Sequence, residues 1–330
     1  MKNLIRKLIT KFTLQTPSIL ENVKSNFDLD DISHETKISL NNNIDPKILK
    51  KLNISQRTFG NLNNDKIFYV IKRTPGTGMF SNITFVLNHL KICKKYDFIP
   101  IIDMKNFSTI YNESIKFKNN FNAWNYYFDN LNKYSLEEVY KSKNVLLTDN
   151  KFFHFFSYSI DKDNELMDLF NTKIKINKYM NACYLKVLKN FKNKKILGIH
   201  FRGTSYKRSP GHPLPATKKQ MYELTKKILN ENHIDNIFLV TEEKDYLDFF
   251  KKKYGEKLIY LYSSYRSNKN DAFKKYPRNL HRYKLGREAI IEAMLLSSCK
   301  YFIYVCSNIS SAAIGFNIEK NQKRFEIDNG

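Results

Sequence analysis

The sequence is short of glycine and proline, with 10 and 8 in 330 residues, and arginine supplies only 10 of its 56 basic side chains. The four cysteines, Cys93, Cys183, Cys299 and Cys306, are scattered and form no Cys-x-x-Cys pair. That excludes a zinc ribbon or a disulfide framework and predicts free thiols in a reducing compartment. No apolar run reaches the roughly 18 residues that a transmembrane helix requires. There is no internal repeat of fixed period, which removes solenoids and propellers. Missing too are the Gly-x-Gly-x-x-Gly dinucleotide fingerprint and a Walker A lysine. No helix-turn-helix, zinc finger or RNP-like aromatic motif appears, so a nucleic-acid partner is not expected.

What is present allows a real core. Hydrophobic residues make up 42% and aromatics 14% of the chain, which argues against disorder. The length fits two domains or one large one. The formal net charge is +24. Lysine dominates it, and Asn, Ile, Phe and Tyr are abundant as well, the mix an AT-rich coding sequence yields. The charge therefore permits a polyanionic partner without specifying one. The segment "MKNLIRKLITKF" (Met1–Phe12) is basic and amphipathic. Arg6, Lys7 and Lys11 interrupt its apolar residues, so it is a poor signal peptide but could rest on an anionic membrane surface.

Residues 1–65 are Asn- and Lys-rich and read as an N-terminal extension. Order improves at "KIFYVIKR" (Lys66–Arg73), a strand followed by the turn "TPGTGMFSN", a helical pattern through "ITFVLNHLKICKKY" and the strand "FIPIID". This is a βαβ unit. Ser135-x-x-Glu138 is a capping-box pattern ahead of the short strand "NVLLT". In the second half, strands "KILGIHF", "NIFLVT", "KLIYLY" and "KYFIYVC" alternate with helical patterns, and "SNISSAAIGF" opens a further helix. Such alternation predicts an α/β fold with parallel sheets covered on both faces. We expect two facing Rossmann-like domains, 66–190 and 191–330, with a cleft between them. Ligands of such sheets bind beyond the carboxyl ends of the strands.

The unusual residues gather at those ends. In "GIHFRGTSYKRSPGHPLP" (Gly198–Pro215), His200 and Arg202 lie two apart, on one side of a strand. Arg202 precedes Gly203, and a planar guanidinium there can grip a phosphate through two parallel hydrogen bonds. In "VCSNISSAA", Ser307, Asn308, Ser310 and Ser311 begin a helix whose N–H groups and dipole suit an anion; ordinary N-capping is the plainer alternative. Thr241 and Glu242 follow a strand in "VTEEKDY", where a carboxylate can accept from guanine or simply favour a helix N-terminus. Gly76, Gly78, Phe80, Ser81 and Asn82 form the loop expected to line the cleft from the first half. Gly76, Gly78, Gly198, Gly203 and Gly211 are half of all the glycines, and glycine belongs where backbone approaches a ligand closely.

The stretches "GIHFRGTSYK…GHPLP", "FLVTEEKDYLDFF", "HRYKLGREAIIEAMLLSSCKYFIYVCSNISSAA" and "GTGMFSN" together resemble the fucosyltransferase superfamily. That group contains nodulation and core α-1,6-fucosyltransferases and protein O-fucosyltransferases. The resemblance spans roughly residues 66–316 and points to a bacterial branch. It implies a GT-B glycosyltransferase fold, a GDP-sugar as donor substrate held by the second domain, no metal and no other cofactor, and inversion at the sugar carbon. It places His200 and Arg202 on nucleotide and β-phosphate, Glu242 on guanine, and either Ser310 and Ser311 or Ser307 and Asn308 on the diphosphate. A glycan acceptor in surface polysaccharide assembly follows, in the cytoplasm or peripherally at the inner face of the membrane.

The chain departs from the family pattern at Ser205, where relatives carry Asp after Arg-Gly-Thr, and no carboxylate follows in "KRSPGHP". His212 is the nearest candidate base, since an ordinary histidine titrates near ~6.5. Three alternatives stand beside this reading: a catalytically impaired sugar-binding or scaffold protein, a GT-A transferase with a metal on Asp161-x-Asp163, and a nucleic-acid binder.

Overall fold

The computed structural model describes residues 50, 54–117, 120–148, 156–203, 213–269 and 271–329. Within them the strands form two sheets. The first has the order β1 (Ser55–Arg57), β4 (Val145–Leu147), β2 (Phe68–Ile71), β3 (Ile99–Ile102). β2 runs parallel to β3 and β4, and β1 closes the edge antiparallel. The second sheet is wholly parallel, in the order β7 (Leu258–Ile259), β6 (Asn236–Val240), β5 (Ile196–His200), β8 (Tyr301–Tyr304), β9 (Lys323–Glu326). The helices are α1 (Met79–Tyr96), α2 (Leu136–Val139), α3 (Asn164–Lys173) and α4 (Lys178–Leu188), then α5 (Lys218–Glu231), α6 (Lys244–Tyr254), α7 (His281–Ser297) and α8 (Asn308–Phe316). The α/β class with parallel sheets is as the alternation predicts.

Burial on both faces explains the sequence of the central strand. Every residue of β5, "ILGIH", is buried, so it reads as a continuous run rather than an alternation. Helix starts follow the capping chemistry. Thr217 and Gln220 make a reciprocal capping box for α5, and Asp163 accepts from Leu166 N–H to cap α3. Ser135 accepts from Glu138 N–H at the start of α2. Helix α7 lacks such a residue: Leu280 at its start has φ 51° and makes no side-chain cap. Its acceptor comes from far away in sequence, where Glu113 Oε1 accepts from Tyr283 N–H at 2.8 Å. A carboxylate is favoured at this positive end of the helix, although burial raises the Glu113 pKa above the usual carboxylate value.

One apolar cluster joins the two sheets. Tyr69, Phe85, Tyr127 and Phe170 from the first half pack in it with Phe238, Ile290, Leu296 and Phe302 from the second. Its tightest point is Gly286 in α7, where an added Cβ would lie 2.3 Å from Tyr127 Oη. The Tyr127 ring stacks on Tyr283 with centroids 5.6 Å apart, and its hydroxyl donates to Tyr283 O at 3.1 Å. A second cluster fills the opposite face of the parallel sheet, where Met221, Ile228, Leu247 and Phe250 of α5 and α6 cover Leu197, Ile199 and Leu239.

Several boundaries differ from expectation. The turn "TPGTGMFSN" ends at Gly78, because Met79–Asn82 already form the first turn of α1. The helical pattern "GREAIIEAMLLSSC" starts at Gly286, whereas α7 begins at His281, where the Glu113 carboxylate supplies a start signal that no neighbour in sequence provides. β1 lies within the stretch read as an extension, because three residues carry too little pattern to register. The rest of that extension, Met1–Phe12 included, lies outside the described residues. All four cysteines are free. No helix among the described residues is long and apolar enough to cross a membrane.

Ser311 ties the halves together through polar contacts. Its hydroxyl accepts from Ile160 N–H at 2.8 Å, and Asp161 N–H lies 3.3 Å away. Removing it strands a buried backbone donor, which costs ~1–3 kcal/mol. Ser311→Ala should therefore lower the urea midpoint by that amount of stability with an unchanged m-value.

Candidate functional site

The order of the second sheet fixes where a ligand can sit. β6 lies on one side of β5 and β8 on the other, so the chain leaves the two neighbouring strands β5 and β8 toward opposite faces. The crevice beyond their carboxyl ends is the topological switch point of the sheet. His200 is the last residue of β5 and pairs in register with Tyr304, the last of β8. Ser307 follows β8 as the N-cap of α8. The sheet thus brings together two of the predicted segments, which lie more than a hundred residues apart in sequence.

His200 is 1% exposed, and its Nδ1 lies 3.4 Å from Ser307 Oγ. Its Nε2 has no hydrogen-bond partner among the described residues. Burial, helped by the nearby Arg202 charge, lowers its pKa to about 3, so the ring is neutral at physiological pH. A buried ring nitrogen without a partner costs ~1–3 kcal/mol and marks a place where a ligand or water atom would be satisfied. Arg202 lies beyond the strand end. Burial pushes the Tyr111 pKa up, against the opposing influence of the Met79 backbone and of the Arg202 charge.

The loop residues themselves are mostly occupied with local structure. Gly76 turns the chain at φ 74°, and Gly78 is the N-cap of α1. The Asn82 side chain accepts from Thr77 N–H at 3.0 Å and donates to Thr77 O at 3.1 Å, closing the loop. Arg73 Nη1 donates to Ser81 O at 2.7 Å and to Ser81 Oγ at 3.2 Å. Phe80 is 1% exposed and packs edge-on to Phe316, so it belongs to the core rather than to the lining of a cleft.

At α8, Ser307 and Ser310 form a reciprocal capping box. The Ser310 hydroxyl lies 2.9 Å from both Val305 O and Ser307 O, and the Ser311 hydroxyl is held by the Ile160–Asp161 backbone. Their hydroxyls are therefore spent inside the protein. Asn308 and Ile309 are the first two residues of the helix, whose N–H groups have no intrahelical partner at any helix start. The anion-binding capacity of this end thus lies in backbone and dipole rather than in the serine side chains.

The loop after β6 converges on Gly203. Glu242 Oε1 accepts from Gly203 N–H at 3.1 Å, and Ser267 N–H donates to Glu242 O at 2.9 Å. Thr241 is buried, and its hydroxyl accepts from Glu243 N–H at 3.1 Å. Glu243, next to Glu242 in the same strand-end segment, has its carboxylate directly against Gly203. An added Cβ there would sit 1.7 Å from Glu243 Oε2. Below this loop Glu292 is buried beside Arg266, 3.8 Å away, and accepts from Ser264 Oγ at 2.6 Å. Burial pushes its pKa up to about 7 against the opposing pull of Arg266, with Glu288 and Glu242 adding like charge. Glu288 and Glu292 stand one turn apart on α7, but only the fold brings Arg266 and Glu242 to them.

His212 and Ser205 lie outside the described residues. Asp103, a further carboxylate at a strand end, accepts from Lys105 N–H and Asn106 N–H, both at 2.9 Å, and from Tyr140 Oη at 2.6 Å, so it organises a turn. Asp163 caps α3 and pairs with Lys91 Nζ at 3.0 Å, while Asp161 accepts from Ser159 Oγ at 2.8 Å. The Asp161-x-Asp163 pattern is thus accounted for by local structure.

Gly203→Ala should force Glu243 away from the strand end. The expected result is a clear loss of stability, measured by thermal melting. An alanine variant as stable as the parent would contradict the close approach described here.

Comparisons with known proteins place this geometry in context. No family model matches the chain, and no curated protein does. Among solved structures, fucosyltransferase NodZ from Bradyrhizobium is similar at 15% identity with a TM-score of 0.45, over 75% of this chain and 92% of that one. NodZ α-1,6-fucosyltransferase soaked with GDP-fucose gives 15% identity and a TM-score of 0.45, over 80% of this chain and 100% of that one. POFUT1 in complex with GDP is similar at 11% identity with a TM-score of 0.38, over 85% of this chain and 76% of that one.

Proposed function

We propose that the chain is a glycosyltransferase that passes fucose or a related sugar from a GDP-sugar to a glycan acceptor. The observation that carries this reading is the juxtaposition at the switch point: a buried neutral His200 with an unpartnered Nε2, the start of α8 beside it, and Arg202 two residues on. These are the parts a nucleoside diphosphate needs, namely a ring-nitrogen contact, backbone donors at a helix start and a fixed cation. The match of His200-x-Arg202 and Glu242 to the fucosyltransferase motifs adds the identity of the base and of the sugar. The expected arrangement is GT-B, with the acceptor on the side of the first sheet.

In this reading the acceptor hydroxyl attacks the anomeric carbon as the bond to the β-phosphate oxygen breaks, which inverts that carbon. GDP leaves carrying the electron pair, and Arg202 stabilises the charge gathering on it, the electrostatic task that limits glycosyl transfer. The acceptor proton goes to a base. With Ser205 in place of the family aspartate, His212 takes that role. We place the reaction in bacterial surface polysaccharide assembly on the cytoplasmic side of the membrane. Ser205 also supports a second reading, a sugar-binding protein of the same fold that has lost catalysis; hydrolysis of the donor without acceptor separates the two.

Arg202→Ala should remove nearly all transfer while leaving the melting temperature intact, since one such contact to a developing anion is worth ~3 kcal/mol or more. Arg202→Lys should also be poor, because an ammonium cannot make the paired contact. Calorimetry with GDP and UDP sugars tests the donor directly. Equal affinity for both nucleotides would remove the guanine assignment, and turnover by Arg202→Ala near that of the parent would remove the site.

His212→Ala should lower turnover by ~10²–10⁴-fold with GDP affinity unchanged. His200 is already neutral far above its lowered pKa of about 3, so it contributes no titration near neutral pH. An acidic limb in the pH–rate profile near ~6.5 that vanishes in that variant would belong to His212, whereas one that persists would point to Glu292, whose pKa burial raises to about 7.

A further inference from the structure

We propose that the outer face of α4, with the lysine-rich segment that follows it, docks on an anionic lipid bilayer. From residue 169 to residue 222 the chain contains no aspartate or glutamate, although it carries 32 acids in 330 residues, about one in ten. A coding bias toward lysine explains many lysines but not missing carboxylates. Those basic residues of this stretch that lie on α4 and in the segment after it are exposed. Met180 and Tyr184 bury one side of α4, and Tyr184 Oη lies 2.8 Å from Ser298 Oγ at the end of α7. The other side presents Lys178, Ala182, Leu185 and Lys189, spaced so that they form one exposed stripe. Lys186, Lys192 and Lys194 extend it, all exposed. None of these lysines pairs with a carboxylate among the described residues.

The apolar members of the patch favour a bilayer over a nucleic acid. Leu185 is 47% exposed and Tyr179 42%, both in the midst of the lysines. A leucine and a tyrosine at that level can enter the headgroup–acyl boundary while the ammonium groups stay with anionic lipid. A phosphodiester backbone offers nothing to the leucine. Charge complementarity also argues against the segment Met1–Phe12 as occupant, because it is itself basic. The position leaves the other end of the sheet clear: Lys194 and Lys195 precede β5, whereas His200 ends it. The patch and the switch-point crevice thus lie at opposite ends of the strand, and the crevice stays open to water. This inference stands apart from the transferase reading.

The test is flotation of the full chain with vesicles of phosphatidylcholine alone or with one-third phosphatidylglycerol. Binding to the anionic vesicles only, weakening as salt rises, is expected. Replacing Lys186, Lys189 and Lys192 by Gln should cut partitioning at least about tenfold, since each lysine at such a surface is worth several-fold. Leu185→Ser should cut it several-fold and leave the salt dependence in place. Helical circular dichroism and the melting temperature serve as folding controls, and the single Lys189→Gln change gives the same direction if the triple variant is unstable. Unchanged binding in both variants would overturn the proposal and move the contact to another basic segment. Loss with the lysine changes but none with Leu185→Ser, alongside tight binding to a random oligonucleotide, would equally overturn it in favour of a polyanion.

Discussion

The arrangement depends on one topological constraint. A parallel sheet that grows outward in both directions from a central strand must send its connections to opposite faces, and the backbone parts at the carboxyl ends of two neighbouring strands. Here those strands are β5 and β8. A gap created this way is lined by strand-end residues and by a helix start, so it offers unpaired backbone donors before any side chain is chosen. His200, Ser307 and the beginning of α8 occupy it. Gly203 extends the same logic to β6, because the absence of a side chain there lets the Glu243 carboxylate come up against the strand end.

Burial of charge is the second constraint, and it governs how the halves join. Glu113 is accepted in the interior because α7 starts at it, so the carboxylate and an orphan helix donor satisfy each other. Glu288 is paired with both terminal nitrogens of Arg278, at 2.6 and 2.9 Å. Glu292 beside Arg266 is less well matched, and its raised pKa records that mismatch. The loop carrying Ser264, Arg266 and Ser267 is thus tied to α7 below and to the Glu242 backbone above.

Much of this was legible in the sequence because it is local. The continuous apolar run of β5, the alternation of strands with helical patterns, the capping residues Ser135 and Ser307, and the free cysteines follow from neighbours a few residues apart. His200 and Arg202 stood out because a strand period and a glycine mark them. The sequence alone thus determined the α/β class, the placement of the principal strands and the strand-end position of the candidate residues.

What only the tertiary structure decided depends on contacts between distant segments. The start of α7 at His281 needs Glu113, and the reach of the core across both sheets needs Gly286 against Tyr127. The inward roles of Phe80, Ser310 and Ser311 could not be read from their motifs, because a hydroxyl at a helix start looks the same whether it faces a ligand or a neighbouring loop. Glu243 and Tyr111 gained their places only when β5, β6 and α1 came together. Local pattern reports which surface of an element is apolar; which polar group meets which is set by packing, and packing is a property of the whole chain.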